Sequence, residues 1–412
     1  MTGVARGLLD RPRAMNARTQ HRIFRSPSIL ALALLAACGG SEPDTVGVVL
    51  PLSGADKVYG RSLERGITLA YEDLQRRAGE DGVPFRIEVR DSASHPQRAA
   101  EQADALYDAG AQAVVGGATD AEARAMVPVA DRKERVLLSP SASSASLAGQ
   151  SRHVFRLSPS DYQQAVKMGG FAVLELDLAR TAVLMPDTDP GMELGQVFRE
   201  EFERQGGRVL SAVGYPEDVD PDRLVRFVGR ALDQRPQGVY LATAAGDRTA
   251  PAVLAELARQ GFRGTVMTTS AFASSGVIAE AGRGAEGLVV SASSFDPASE
   301  DPKVRGFVEA YRERFDADPD AYAAHGYDAL MALAEAMGLE ESAGGPRRLW
   351  QGLRALSGFQ GVTGYIQFDE QGNVGQFPRV FVVDHGELTE LEGEGARRRL
   401  AALGRTTGEI HG

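Results

Sequence analysis

The stretch GVVLPLSGADKVYGRSLERGITLAYEDL, residues 47–74, decides the fold. Val46–Leu50 just before and within it is a short apolar run, rich in valine and ended by Pro51, which predicts a strand buried on both faces. It gives way to PLSGADKVYG, Pro51–Gly60, a glycine- and hydroxyl-bearing loop, and then to an amphipathic run that predicts a helix over about 60–78. Strand, loop and covering helix make one βα unit.

The unit recurs. Further strands are expected at Phe85–Arg90, Ala113–Gly116, Val136–Ser139, Thr181–Met185, Arg208–Val213, Gly238–Thr243, Thr265–Thr268 and Leu288–Ser291. Between them the spacing predicts helices near 96–109, 120–133, 161–178, 191–205, 221–234, 248–260 and 273–281. Continuous apolar strands joined by helical crossovers imply an α/β fold with parallel sheets covered on both faces. The last third changes order, with helices near 301–315, 320–339 and 346–356 and then strands near 363–368 and 378–384, so the chain is expected to return to domains built earlier.

Cys38 is the only cysteine of 412 residues. Arg11, Arg13, Arg18, Arg22 and Arg25 precede an apolar core, Ile29–Ala37, and then small residues, which are the three regions of a secretory signal. That core is too short for a membrane-spanning helix, which needs about 20 apolar residues. Leu35-Ala36-Ala37-Cys38 resembles the bacterial lipobox, and the resemblance implies that the thiol is acylated and begins the mature chain, with translation starting at Met1 or Met15. Several acyl chains anchor durably where one gives only marginal binding. Residues 1–37 are therefore expected to be a leader and 38–44 a tether.

Losing the leader's six Arg and one Asp from 45 basic and 56 acidic residues leaves 39 and 55, a net charge of −16. Such a surface repels phosphate backbones, so nucleic acid is excluded as a partner. No second cysteine means no disulfide within the chain. The 375 residues after the leader exceed what one core usually holds, which argues for two domains.

Catalytic motifs are thin. Gly282-Arg-Gly284-Ala-Glu-Gly287 fits the dinucleotide pattern G-x-G-x-x-G, but that pattern works only after a strand and at a helix start. Here a helix precedes it and a strand follows, so it reads as a glycine-rich loop. There is no G-x-S-x-G elbow, P-loop or H-E-x-x-H, and the histidines at 21, 95, 153, 325, 385 and 411 lack metal-site spacing. Neither an enzyme nor a metal or other cofactor is implied.

The loops at the carboxyl ends of the predicted strands say more, since ligands bind there in open α/β sheets. Pro51–Gly60, GGATD (Gly116–Asp120) and SPSASSAS (Ser139–Ser146) each set hydroxyls and backbone amides just before a helix start. Helix capping explains any one of them; three converging on one sheet edge point to a pocket for a polar ligand.

With these loops the chain resembles the type 1 periplasmic solute-binding proteins of the branched-chain amino acid transporter family. The likeness runs in order through RDSASHPQRAAEQADAL, AVVGG, LLSPSASSASL, VFRLSPSDYQQA, GFRG, AEGLVVSAS, FVEAYRERF, YDAL and GYIQFDEQGNV, over about 45–385. It implies two Rossmann-like lobes joined by three crossing strands, with lobe 1 at 45–157 and 294–361, lobe 2 at 158–293 and 362–390, and a tail at 391–412. It also implies a small-molecule ligand in the cleft, hinge closure, delivery to an ABC permease, and a place outside the cytoplasmic membrane, held there by Cys38.

Carried over by position, the resemblance gives the first lobe's grip to Tyr59, Thr119, Asp120, Ser141, Ala142 and Ser143, where relatives use hydroxyls and amides to hold an amino acid's α-carboxylate and part of its ammonium. The second lobe departs from the pattern. Ser270 stands where amino-acid binders carry an acid for the ammonium, Ala244 where a tyrosine is usual, and the loop containing Asp187 has Pro190 where an aromatic is common. A buried ammonium without a counter-charge costs several kcal/mol. Either Asp120, Asp187, Asp189 or Asp247 supplies the charge from another angle, or the ligand is a small amide, an aromatic acid or a polyol. The rival reading is a lipoprotein of this fold that senses a ligand or regulates envelope enzymes.

Overall fold

The computed structural model describes residues 44–406 except 80, 81, 84, 218, 343–348 and 394. The leader, Cys38 and the residues beyond 406 lie outside these residues.

The first sheet is built from β1 (Asp44–Leu50), β2 (Phe85–Asp91), β3 (Ala113–Gly116), β4 (Val136–Ser139) and β5 (Val154–Arg156), all parallel, in the order β2-β1-β3-β4-β5. The crossovers include α1 (Lys57–Ala78), α2 (Pro96–Asp108) and α3 (Asp120–Lys133). Strands β3, β4 and β5 are buried along their whole length, as continuous apolar runs between helix layers must be.

The second sheet repeats the plan. Strands β6 (Arg180–Pro186), β7 (Arg208–Tyr215), β8 (Gly238–Leu241), β9 (Thr265–Thr268) and β10 (Leu288–Ala292) run parallel in the order β7-β6-β8-β9-β10. With them go α4 (Asp161–Leu174), α5 (Asp189–Arg204), α6 (Pro221–Leu232), α7 (Ala250–Arg259) and α8 (Ser275–Ala281). The two lobes thus share one strand order, which the sequence shows only as a coarse likeness of two halves.

Helices α9 (Pro302–Phe315), α10 (Ala321–Ser342) and α11 (Leu349–Ala355) follow, and α9 and α10 pack on α1 of the first lobe. The α1–α10 crossing is close because glycine sits at both contact points: a Cβ on Gly66 would fall 1.9 Å from the Ala323 carbonyl oxygen, and one on Gly326 2.3 Å from that of Leu63. A short hairpin, β11 (Phe359–Gln360) and β12 (Tyr365–Ile366), precedes β13 (Arg379–Asp384) and β14 (Glu387–Glu390), which extend the second sheet antiparallel from β10. The chain therefore leaves the first sheet after β5, leaves the second after β10 to lay α9 and α10 on α1, and returns to the second sheet at β13, three crossings in all.

Several boundaries differ from the sequence expectation. Strand β5 has three residues and β14 four, too few to show a period. Helix α4 stops at Leu174 rather than 178, and Asp177 beyond it takes a positive φ of 57°. Within the segment expected as a tail from 391, the described residues pack on the second lobe: Leu391 and, from α12 (Gly395–Ala402), Ala396 and Leu400 are buried with Val380 and Val382 of β13, and Thr406 N donates to Arg263 O.

Candidate functional site

In each lobe the strand order reverses between the first and third strands, β1 and β3 in one sheet, β6 and β8 in the other. Helices leave in opposite directions there, opening a crevice at the strands' carboxyl ends. The two crevices face each other. Tyr59 in α1 donates its hydroxyl to Ala271 O at 3.3 Å, and Tyr322 in α10 donates to Ser270 O at 3.4 Å, so both first-lobe tyrosines meet the loop after β9. Their rings pack together with centroids 4.8 Å apart. Gly246, in the loop after β8, lies so near the first lobe that a Cβ there would stand 3.7 Å from both Thr119 Cγ2 and Asp56 Oδ1. Two cavities along this meeting edge are small, about 10 Å3 each, one lined by Ser141, Ser158, Ser270, Tyr322 and His325, the other by Ser144, Asp161, Tyr162, Pro190 and Glu193. Each holds at most a water.

Short β3, four residues ending at Gly116, delivers Thr119 as the N-cap of α3, its side chain accepting from Glu122 N at 3.3 Å. Asp120 is the first helical residue. Its Oδ1 accepts from both Ser143 N and Ser144 N at 2.8 Å, while the buried Oδ2 has no partner. Those two amides end β4's loop, where the family resemblance implies a ligand carboxylate. The protein's own carboxylate fills that place.

Asp161 stands beside it as the first residue of α4, directly after the chain crosses to the second lobe. Its backbone N donates to Ser143 O at 2.8 Å, and its buried Oδ1 also lacks a partner. Burial, with the charge of Asp120 added, pushes its carboxyl up to about 8; burial likewise raises Asp120. Arg156, 2% exposed, is the nearest fixed cation, yet it donates through Nη1 to Ser144 O at 2.5 Å and through Nε and Nη2 to Asn373 Oδ1. Its guanidinium ties β5 to the third crossing and screens the two carboxylates without pairing with either.

A third acid, Glu122 in the first turn of α3, accepts from Ser92 Oγ and leaves Oε2 buried and unpartnered. Burial and then the charge of Asp56 raise it to about 7. Asp56 itself is raised by burial, opposed by Arg248.

The expected residues distribute as follows. Tyr59, Thr119, Asp120, Ser141, Ser143 and Ser270 gather where the lobes meet; Ser141 Oγ donates to Ala118 O at 2.8 Å and Ser270 N to Gln164 Oε1 at 2.8 Å. Ala142 is 1% exposed and packs in the first lobe's core with Leu137, Leu147 and Val154. Ala244 sits in the turn closed by Asp247 N and accepts from it at 3.1 Å. Exposed Asp187 leans over β7, where a Cβ on Gly214 would strike its Oδ1 at 1.8 Å. Asp247 is used within its own lobe, taking hydrogen bonds from Tyr215 Oη at 2.9 Å, Thr243 Oγ1 at 2.8 Å and Thr249 N at 2.9 Å.

Sequence reading missed Asp161, Glu122, Arg156 and Tyr322. Asp161 had a signal: Ser160 and Gln163 form a capping box that marks the start of α4, and an acid there sits at the first turn after a lobe crossing. One trio of metal-ligating type occurs among the described residues, Glu286, Asp384 and His385, at the β13–β14 turn, where Arg399 already donates to Asp384 Oδ2 at 2.5 Å. No helix among the described residues is long and apolar enough to cross a membrane.

A family model described as periplasmic binding protein matches residues 43–384. A leucine-, isoleucine-, valine-, threonine- and alanine-binding protein of Pseudomonas aeruginosa is 23% identical over 378 residues, 90% of this chain and 98% of its own. Among solved structures, a leucine-binding protein from Thermotoga maritima is similar with a TM-score of 0.75 at 26% identity, covering 85% of this chain and 98% of its own. An ABC transporter solute-binding protein from Rhodopseudomonas palustris in complex with 3,4-dihydroxybenzoic acid shares the fold, with a TM-score of 0.72 at 21% identity over 85% of this chain and 96% of its own.

Proposed function

The chain belongs to the periplasmic binding protein family, and from that premise we propose that it captures a small polar solute between its lobes and hands it to an ABC permease while tethered to the membrane through acylated Cys38. It is a binding protein, not an enzyme. The supporting observation is the pair of like-ordered sheets whose carboxyl edges meet through Tyr59, Tyr322 and the Ala271 and Ser270 carbonyls. A ligand shifts a two-lobe equilibrium towards closure only if it touches both lobes in the closed form, and these edges offer polar groups from each. The expected lobe division, 45–157 with 294–361 against 158–293 with 362–390, makes the three crossings the hinge.

Two experiments test this reading. Solution scattering with and without a bound solute is expected to show a smaller particle in its presence, and tight binding with no change of radius contradicts hinge capture. Cys38→Ala is expected to leave the membrane fraction; a variant that still sediments wholly with membranes contradicts the anchor.

A further inference from the structure

The second lobe carries a groove of about 680 Å3 at the amino ends of β9 and β10, the ends opposite the cleft. Its walls are the loop before β9, the glycine-rich turn after α8, the β13–β14 turn and the segment just past α12. Gly287 takes a φ of 71°, and a Cβ there would stand 2.7 Å from Arg405 Cγ, so this last glycine of the G-x-G-x-x-G run lets the Arg405 stem lie across the loop. Arg405 is pinned there: Nε and Nη2 donate to Glu286 O at 3.2 and 2.6 Å, and the next residue, Thr406, donates its N to Arg263 O at 2.9 Å. Burial, with the charge of Arg263 added, disfavours the Arg405 cation. Arg263 and Arg283 line the same groove; both are exposed, and among the described residues neither guanidinium has a hydrogen bond or an ion pair. One acid, Glu286, lies with them, its Oε1 accepting from His385 N at 3.0 Å. Three guanidiniums against one carboxylate leave two positive charges in the groove, on a chain whose net charge is −11. Like charges gathered without counter-ions repel, so an anion stabilises such a place.

We propose that this groove is a second ligand site, separate from the cleft, and that its ligand is a phosphate monoester with an apolar body. Such a group carries about −1.5 to −2 charge at pH 7, which matches the uncompensated charge of the groove, and its three oxygens accept from guanidinium forks. A carboxylate brings less charge and fewer acceptors. Phe262, Ile278 and Leu403 give the groove an apolar wall on which the organic part packs. The glycine-rich run contributes room and charge, Gly287 making way for Arg405 and Arg283 adding a cation, and needs no helix start behind it. Binding draws together the entry to β9, the end of α8 and the segment after α12, and so fastens the end of the chain to the second lobe. The same head group occurs on soluble esters and on phosphatidate in a bilayer.

Calorimetry at low ionic strength with phenyl phosphate, inorganic phosphate and benzoate tests this. Phenyl phosphate is expected to bind about tenfold or more tighter than benzoate, which lacks the second charge, and tighter than inorganic phosphate, which lacks the apolar body. Arg283→Gln and Arg263→Gln remove guanidiniums that support nothing in the fold; each is expected to weaken phenyl phosphate about tenfold and to leave the melting temperature of the ligand-free protein unchanged. Cosedimentation of the full chain carrying Cys38→Ala with phosphatidylcholine vesicles, with and without phosphatidate, separates the two sources. Sedimentation only with phosphatidate, lost in Arg283→Gln, supports the site with a lipid head group as its ligand; phenyl phosphate binding without sedimentation supports it with a soluble ester. Benzoate as tight as phenyl phosphate, an affinity unchanged in both variants, or no binding by any of these probes overturns the proposal, and each of these results leaves solute capture at the other edge standing.

Discussion

The two lobes share a strand order but spend their acids differently. At the second lobe's edge, Asp247 is complete within its own loop, receiving Tyr215, Thr243 and the Thr249 amide. At the first lobe's edge, Asp120 and Glu122 each leave a buried oxygen without a partner. An ion whose lone pairs are filled locally supports its loop, whereas one held half-satisfied in a buried place costs stability until something arrives. Asp247 is finished within its own loop, whereas Asp120 and Glu122, like Asp161 where the chain enters the second lobe, keep a buried oxygen open.

Replacing an acid by a neutral residue should therefore have opposite signs on the two walls. The largest effect is expected at Glu122. Its folded-state carboxyl is raised to about 7 from an ordinary 4.5, so the folded protein favours the protonated form. The stability this contributes is full below pH 4.5 and is lost as pH rises through 7. Glu122→Gln keeps an acceptor for Ser92 and no longer buries a charge, so at pH 8 it is expected to stabilise by about 3 kcal/mol, with little difference at pH 5. Thermal unfolding at the two pH values measures it, and a variant less stable than the parent at pH 8 breaks the comparison.

On the opposite wall, Asp247→Ala strips the acceptor from fully buried Tyr215 and from the Thr249 amide, and a loss of about 2 kcal/mol is expected in denaturant unfolding. A stability-neutral Asp247→Ala would show that the second wall is no better satisfied than the first.

How much of this was legible in the sequence follows from distance along the chain. Apolar strands with their helices declared the α/β class, and the hydroxyl loops after the first, third and fourth strands lie together at the first sheet's carboxyl edge. What the sequence leaves out is direction. Asp120 reads as an acid free to meet an ammonium, yet the amides that take its Oδ1 lie 23 and 24 residues later, on another strand's loop. Asp161 reads as an ordinary helix-opening acid, because only the three-dimensional crossing brings it beside Asp120. Ala142 shares a loop with Ser141 and Ser143 but faces the core, a consequence of the turn after β4 that residue spacing does not specify.

Smaller effects sharpen the division of labour. Ser143 offers a hydroxyl beside Asp161, so Ser143→Ala is expected to weaken solute binding by about 1.5 kcal/mol in calorimetry. Its effect on unfolding should be slight, because the amide that holds Asp120 remains. Tyr59→Phe removes a single 3.3 Å hydrogen bond between the lobes and should cost about 0.5–1 kcal/mol of apparent affinity. An affinity unchanged in both variants would move the ligand away from this edge.

The central claim is that the solute sits where the carboxyl edges of the two sheets meet, against Tyr59, Ser143 and Ser270. A high-resolution crystal structure of protein purified from its host, with whatever solute it retains, tests it most directly. The account predicts ligand density bounded by Tyr59, Ser143 and Ser270. Density confined instead to the cavity of about 360 Å3 lined by Phe295, Arg312, Asp320 and Phe381 would contradict it.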